Sequence, residues 1–204
     1  PDQGYAACGQ ASEHVEEGNV GAGTGATVAK LHGPHRAVKG GLGTAAGAEA
    51  SVVVGALASV NAWGEVLDEN GDVLAGARPG HEGGPGPAES PEPGLSGAWP
   101  AEGPPPASTL NTTLVVVATN ARLSKERAHL LAIAAQDGIS ETIRPAHTMW
   151  DGDTVFSLAT GEVEADQRAL ESRAVAVVAE AIRRAVLLAK SVPDFPSARE
   201  GNQP

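Results

Sequence analysis

Apolar positions gather in two blocks along the chain, and the run between them offers almost nothing to bury. The first block, residues 1–78, opens with a short helical stretch around Tyr5 to Glu16 and a glycine-rich turn, Gly18-Asn19-Val20-Gly21-Ala22-Gly23-Thr24-Gly25. Ser51 to Val60 is then a near-continuous apolar run of strand length. Asp68-Glu69-Asn70-Gly71-Asp72, ahead of Val73-Leu74, carries the Asn-Gly signal of a hairpin turn. This block reads as mostly sheet. The second, residues 112–204, begins with Thr112-Thr113-Leu114-Val115-Val116-Val117-Ala118-Thr119, whose consecutive apolar centre predicts a strand buried between layers. Ser124 is placed to N-cap a helix that carries Leu130, Leu131 and Ala134 on one face and ends before Pro145. Val155 to Thr160 predicts another strand. From Asp166 to Lys190, Leu170, Ala174, Val177, Val178, Ala181, Ala185 and Leu188 recur at spacings of three and four, which predicts a long helix with one apolar stripe. The tail from Pro193 is expected to fray. A strand-led block with helices laid over it points to a layered α/β sandwich, and no internal repeat is found.

Between the blocks, residues 79–106 hold nine of the fifteen prolines and seven glycines. A stretch of that length without secondary structure is uncommon inside a compact domain, so residues 79–111 read as a flexible or processed linker. Composition narrows the core further. Of the 204 residues 41% are hydrophobic, yet only three Trp, one Tyr and two Phe are aromatic, so Val, Ala, Leu and Ile must fill closely approaching layers.

Charge and cysteine usage remove several function classes. With 25 acidic residues against 14 Lys and Arg, a net charge of −11 leaves no electrostatic footprint for nucleic acid or an anionic membrane surface. Cys8 is the only cysteine, which excludes an internal disulfide and a Cys-rich zinc site and makes a reducing cytoplasm the expected location. No apolar run reaches the roughly 18–20 residues of a membrane span, and Pro1-Asp2-Gln3-Gly4 does not read as a signal peptide, so a soluble protein is expected.

Candidate chemistry begins at Leu110-Asn111-Thr112-Thr113, where the linker meets a buried strand whose first residue bears a hydroxyl. That is the layout of a self-cleaving N-terminal nucleophile. Cutting the Asn111–Thr112 bond would give Thr112 an α-amine of pKa about 7.7–8.0, able to act as base for its own Oγ. The plainer reading is that a β-branched residue simply suits a strand start. Asp151-Gly152-Asp153 sets two carboxylates two residues apart, fit to hold an amine and orient a hydroxyl, or else an ordinary Asp-Gly turn. A metal reading with His147 is too commonplace a pattern to count as a site. Gly21-Ala22-Gly23-Thr24-Gly25-Ala26 resembles a dinucleotide loop only superficially, because Glu13-His14-Val15-Glu16-Glu17 precedes it in place of a buried strand. A loop whose glycines let backbone pack closely is the preferred reading. Lys30 is a solvated lysine on local grounds. Asn61 is a turn residue or, as a strand-end amide, an oxyanion donor.

Taken in order, Gly18 to Thr27, Lys39-Gly40-Gly41-Leu42-Gly43-Thr44, Asn61-Ala62-Trp63-Gly64, Asn111-Thr112-Thr113 with Val117-Ala118-Thr119, and Arg144 to Thr148 through Asp151-Gly152-Asp153-Thr154 resemble the self-processing aminopeptidase family. That family includes L-aminopeptidase/D-esterases, β-peptidyl aminopeptidases and nylon-oligomer hydrolases. The resemblance implies a four-layer αββα sandwich of the N-terminal-nucleophile type and self-cleavage into two chains that stay together, usually in a homo-oligomer such as a tetramer. Residues 1–78 would be the end of the α-chain, residues 79–111 the linker up to the cut, and residues 112–204 the β-chain. By position, Thr112 matches the nucleophile, Asn111 the residue before the cut and Asn61 the oxyanion donor. Asp151, Asp153 and Lys30 match the nylon-hydrolase branch, while β-aminopeptidases carry Ser and Glu at the Asp positions. No cofactor or metal is implied. Pro1 to Cys8 resembles the middle of family members, as if the first third or more of the usual chain were absent, which makes an inactive fragment or subunit one alternative. The expected activity is hydrolysis of small peptides or amino-acid amides through an acyl-enzyme. Nylon-type oligoamides are the alternative substrate and acyl transfer a further one.

Overall fold

The computed structural model describes residues 2–78 and 111–201. Its helices are α1 (Asp2–Gly9), α2 (Lys125–Thr142), α3 (Gln167–Leu187) and α4 (Ala198–Gly201). Its strands are β1 (Thr27–Val28), β2 (Val38–Lys39), β3 (Gly41–Glu49), β4 (Val52–Asn61), β5 (Glu65–Leu67), β6 (Val73–Ala75), β7 (Thr112–Ala121), β8 (Ile143–Arg144) and β9 (Thr154–Val163). The linker predicted over 79–111 lies, as far as residue 110, outside the described residues.

The central sheet has the order β3-β4-β7-β9. β3 and β4 form a hairpin, with Gly41 opposite Val60 and Glu49 opposite Val52. β4 continues antiparallel to β7, pairing Val54 with Thr119 and Asn61 with Thr112. The two sequence blocks therefore share one sheet. β7 and β9 run parallel, and such a pair needs a crossover, which α2 supplies. A smaller sheet, β6-β5-β8, pairs Glu65 with Arg144 and so carries the start of the 145–153 loop to the chain just beyond β4.

Helices α2 and α3 pack against one another and cover one face of the central sheet. Val54, Ala58, Val60, Val115 and Val117 are fully buried there with Leu131, Ile139, Ala181 and Ile182. Small residues set the spacing. A Cβ built on Gly43 would fall 2.1 Å from the carbonyl oxygen of Ala181, and one on Gly138 would fall 2.8 Å from Cβ of Val178. Layers this close leave no room for aromatic side chains, which is the physical counterpart of the aromatic-poor composition. Of the four layers expected, the described residues form one helix layer and one sheet.

Five local expectations need correction. Helix α3 ends at Leu187, so Leu188, expected on its apolar stripe, is an exposed C-cap and the helix does not reach Lys190. The first helix stops at Gly9 rather than running to Glu16, because glycine favours leaving a helix, and Glu17 beyond it is engaged by Arg184 of α3. β7 is buried on alternate residues only, with Leu114 45% exposed, since helices cover just one of its faces. The buried stripe of α2 is Leu131, Ala135, Gly138, Ile139 and Thr142; Leu130, one residue and about 100° away, is exposed. The tail is packed through Ala198: Lys39 donates its backbone N–H to Pro196, Val192 bridges Phe195, and Ser197 and Ala198 are buried. The cap expected at Ser124 holds, its hydroxyl accepting from the Arg127 N–H, and in the structure Asp166 caps α3 in the same way, its carboxylate accepting from the Ala169 N–H.

Candidate active site

Two strand ends create the site. Asn61 is the last residue of β4 and Thr112 the first of β7, and the antiparallel register sets them directly opposite one another. Side chains alternate along a strand, so Thr112 shares its face with Leu114 and Asn61 with Ser59, on the side of the sheet away from α2 and α3. Asn61 is thus a strand residue and not a turn.

Lys30 comes to this end from a tight turn, Lys30–His32, entered through Ala29 in the left-handed region at φ 62°. Ala29 donates its N–H to Gly64 and Leu31 donates to Trp63, which lashes the turn to the chain following β4. The side chain is 7% exposed, contrary to a solvated lysine, and its Nζ donates to Asn61 Oδ1 at 2.9 Å and to the Asn61 carbonyl at 3.1 Å. Burial pushes the Lys30 amine down to about 8, against an opposing pull from the Asp151 carboxylate. Thr27 also donates its N–H to Asn61 Oδ1, at 3.0 Å. With the amide oxygen held by both donors, the orientation of the Asn61 side chain is fixed, with its NH2 turned away from them.

The glycine-rich loop stands behind Thr27. Lys39, 1% exposed, points its Nζ at three backbone carbonyls: Ala26 at 2.7 Å, Gly23 at 2.9 Å and Gly40 at 3.0 Å. A Cβ on Gly23 would lie 2.4 Å from both Gly18 O and Leu42 N, so the loop packs directly on backbone, as close packing rather than nucleotide binding requires. Burial pushes the Lys39 amine down to about 8 as well.

On the other side lies the Asp151-Gly152-Asp153 segment, joined to Asn111 by a parallel bridge between Asn111 and Asp151. Asp151 accepts from the Thr148 hydroxyl at 2.6 Å and from the N–H groups of Thr148 and Trp63, both at 3.3 Å. Asp153, its side chain 3% exposed, accepts from Thr113 N at 2.7 Å and from His147 Nδ1 at 2.9 Å. His147 sits at φ 53°, which turns its backbone N–H toward the same carboxylate, at 3.3 Å. The two acids are therefore more than a turn, since each ties the loop to a strand end. His147 is an Asp153 partner, and among the described residues no three His, Cys, Asp or Glu side chains gather as a metal site would require.

At the centre, Asn111 is 2% exposed. Its carbonyl oxygen accepts from Gly152 N at 2.8 Å and from its neighbour's hydroxyl, Thr112 Oγ1, at 2.5 Å. Thr112, Asn61, Lys30, Asp151 and Asp153 thus come to one end of the sheet. Lys39, Thr148 and Gly152 were not singled out from sequence as members of it. Their parts rest on bonds to or from backbone and across the loop, for which a linear pattern carries no signal.

Comparison with known proteins identifies the family and the fold. A family model described as Peptidase family S58 matches residues 1–199. An uncharacterized aminopeptidase of Mycobacterium leprae is 40% identical over 217 aligned positions, which cover 94% of this chain and 54% of that protein. A 6-aminohexanoate-oligomer endohydrolase of Agromyces sp. is 28% identical over 148 positions, covering 72% of this chain and 41% of that one. The chain spans about half the length of the curated relatives it matches. Among solved structures, the L-aminopeptidase D-Ala-esterase/amidase of Ochrobactrum anthropi superposes with a TM-score of 0.60 at 22% identity, covering 92% of this chain and 51% of that one. A β-aminopeptidase of Burkholderia sp. gives 0.62 at 23%, covering 95% and 56%. These two likenesses establish the fold, which for the Ochrobactrum protein is described as a variant of the Ntn hydrolase fold. Because the family model matches nearly the whole of this chain, the chain belongs to peptidase family S58.

Proposed function

We propose that the protein cuts its own Asn111–Thr112 peptide and then hydrolyses amide bonds of small peptides or amino-acid amides, with Thr112 as nucleophile. The observation that carries this reading is the Thr112 hydroxyl lying 2.5 Å from the oxygen of the preceding carbonyl, on a strand end that faces Asn61. Before the cut Thr112 has no free amine, so the first proton must go elsewhere. Lys30, desolvated and bonded to the cross-strand partner of Thr112, is the base for that step. After the cut, the new α-amine of Thr112 serves its own Oγ, Asp151 and Asp153 hold that amine, and the Asn61 NH2 faces the substrate oxyanion. Water releases the acyl group. No cofactor enters these steps.

The test uses a chain of the relatives' full length. The purified protein is expected to contain a C-terminal piece beginning Thr-Thr-Leu-Val that stays bound to the rest, and Thr112→Ala is expected to remain one chain and to turn over nothing. Hydrolysis retained by Thr112→Ala would overturn the reading. A second substrate class, short linear oligoamides of the nylon type, is favoured by the Asp151 and Asp153 pair and by the likeness to the Agromyces endohydrolase. Turnover of an amino-acid p-nitroanilide against that of a linear 6-aminohexanoate oligomer separates the two. Assembly of cleaved protomers into a homo-oligomer, with a tetramer as the expected form, belongs to the same proposal and is read by light scattering. A cytoplasmic location belongs to the same proposal. Among the described residues no helix is long and apolar enough to cross a membrane.

A further inference from the structure

We infer that the backbone N–H of Gly152 is the oxyanion donor of the self-cleavage step, a role distinct from that of the carboxylates on either side of it. The inference rests on the self-cleavage reading above. It starts from the two hydrogen bonds on the Asn111 carbonyl, one from Gly152 N at 2.8 Å and one from Thr112 Oγ1 at 2.5 Å. These two donors fare differently in the reaction. As Oγ1 bonds to the carbonyl carbon, its proton leaves for the base and it no longer donates to that oxygen. The Gly152 N–H remains in place while the oxygen takes up negative charge. When the tetrahedral centre collapses, the C–N bond to Thr112 breaks, the proton passes to the departing nitrogen, and the Asn111 acyl group is left as an ester on Thr112 Oγ1. Water then hydrolyses the ester to the Asn111 carboxylate and free Thr112.

Three features suit Gly152 to this role. First, the donor is held before the reaction begins: Asp151 is fastened by Thr148 and Trp63, Asp153 by Thr113 and His147, and the Asn111–Asp151 bridge fixes the approach between them. Those same donors engage the oxygens of the two neighbouring carboxylates and so fix where the flanking charges lie. Second, the carbonyl belongs to a residue only 2% exposed, where a hydrogen bond to a developing charge is worth more than in water. Third, the position demands the smallest residue, because a Cβ on Gly152 would stand 2.8 Å from Thr112 Oγ1, the attacking atom. Glycine lets the nucleophile and the donor approach the same carbonyl together.

The most direct test replaces the N–H donor by an ester oxygen while keeping every side chain. Replacing Gly152 by glycolic acid in the full-length chain, through suppression during translation, turns the 151–152 amide into an ester. Self-cleavage, followed by intact mass after translation, is expected to slow about 10²- to 10³-fold, the usual loss for one oxyanion donor. Cleavage at the unaltered rate overturns the inference alone. An unsubstituted full-length chain that stays whole overturns the self-cleavage reading and this inference with it. Should the ester chain fail to fold, hydrogen exchange in the uncleavable Thr112→Ala chain decides: the Gly152 amide is expected to be protected, and exchange at the solvent rate overturns the proposal.

Discussion

On one face of the central sheet Val54, Ala58, Val115 and Val117 have no solvent exposure under α2 and α3; on the other, Leu114, Phe156 and Leu158 are 45, 57 and 58% exposed. The strands are the same, and only the parity of the residue differs. The covered face holds the fold together through close layers of small and branched side chains. The open face is where the expected nucleophile and the expected oxyanion donor emerge, at the end where β4 and β7 stop. Thr112 and Thr113 show how sharp the division is: Thr113 is fully buried, while Thr112 beside it faces the other way. A one-residue slip of β7 would exchange the two, so the core valines of β7 are also what fixes the side on which the Thr112 hydroxyl emerges.

The largest effects are expected at the end of the open face, beside Thr112. Lys30→Met keeps the bulk of a buried side chain and removes its amine, and is expected to slow self-cleavage about 10²- to 10⁴-fold, the range for a lost general base. In the unsubstituted full-length chain, the rate should climb as pH rises from 6 and level off above about 8. The sign follows from burial: it lowers the Lys30 pKa from an ordinary 10.5 to about 8, so the neutral amine that accepts a proton accumulates only as pH passes that value. A cleavage rate that is flat from pH 6 to 9, or that falls, would remove Lys30 from the mechanism.

Next come the covered face and its spacing. Ile182 of α3 is fully buried against the sheet, and Ile182→Ala is expected to cost about 2–5 kcal/mol in denaturant unfolding. Gly43→Ala asks less of the fold but asks it at a single point. Its methyl would lie 2.1 Å from the Ala181 carbonyl oxygen, so α3 must move off the sheet, at a cost of roughly 1–3 kcal/mol. A neutral Gly43→Ala would mean that the helix layer is looser than the distances indicate.

How much of this was legible beforehand depended on whether the deciding interaction was local. β4, β7 and α3 follow from apolar runs and periodicity, and the cap at Ser124 lies within a few residues of what it caps. In α2, Leu130, Leu131, Ile133, Ala134 and Ala135 are apolar nearly all round, so the stripe could be set one residue off. The two lysines make the same point at the site. Lys30 and Lys39 differ little in their local sequence from surface lysines, and both are buried because carbonyl oxygens brought in by the fold receive their ammonium protons. Identification of Thr112, Asn61 and the two aspartates came from motif order, since each alone had a plain structural reading. The Gly152 N–H gave no sign, because every residue carries a backbone amide and only the Asn111–Asp151 bridge aims this one.

The smallest expected effect tests the open face. Phe156 and Leu158 lie on β9 with their side chains more than half exposed, so a polar replacement loses little burial. Threonine is β-branched, a shape that suits a strand, which limits propensity as a confounding cost. In the 204-residue chain, Phe156→Thr and Leu158→Thr are each expected to change unfolding free energy by no more than about 0.5 kcal/mol, as for surface positions generally. Ile182→Ala, measured alongside, calibrates the scale from the covered side of the same sheet. A loss above about 2 kcal/mol at either β9 position has only one ready source, burial of that side chain in solution. It would mean that the face carrying Thr112 and Asn61 is closed by another layer, and the contrast between the two faces would then have to be redrawn around a site enclosed on both sides.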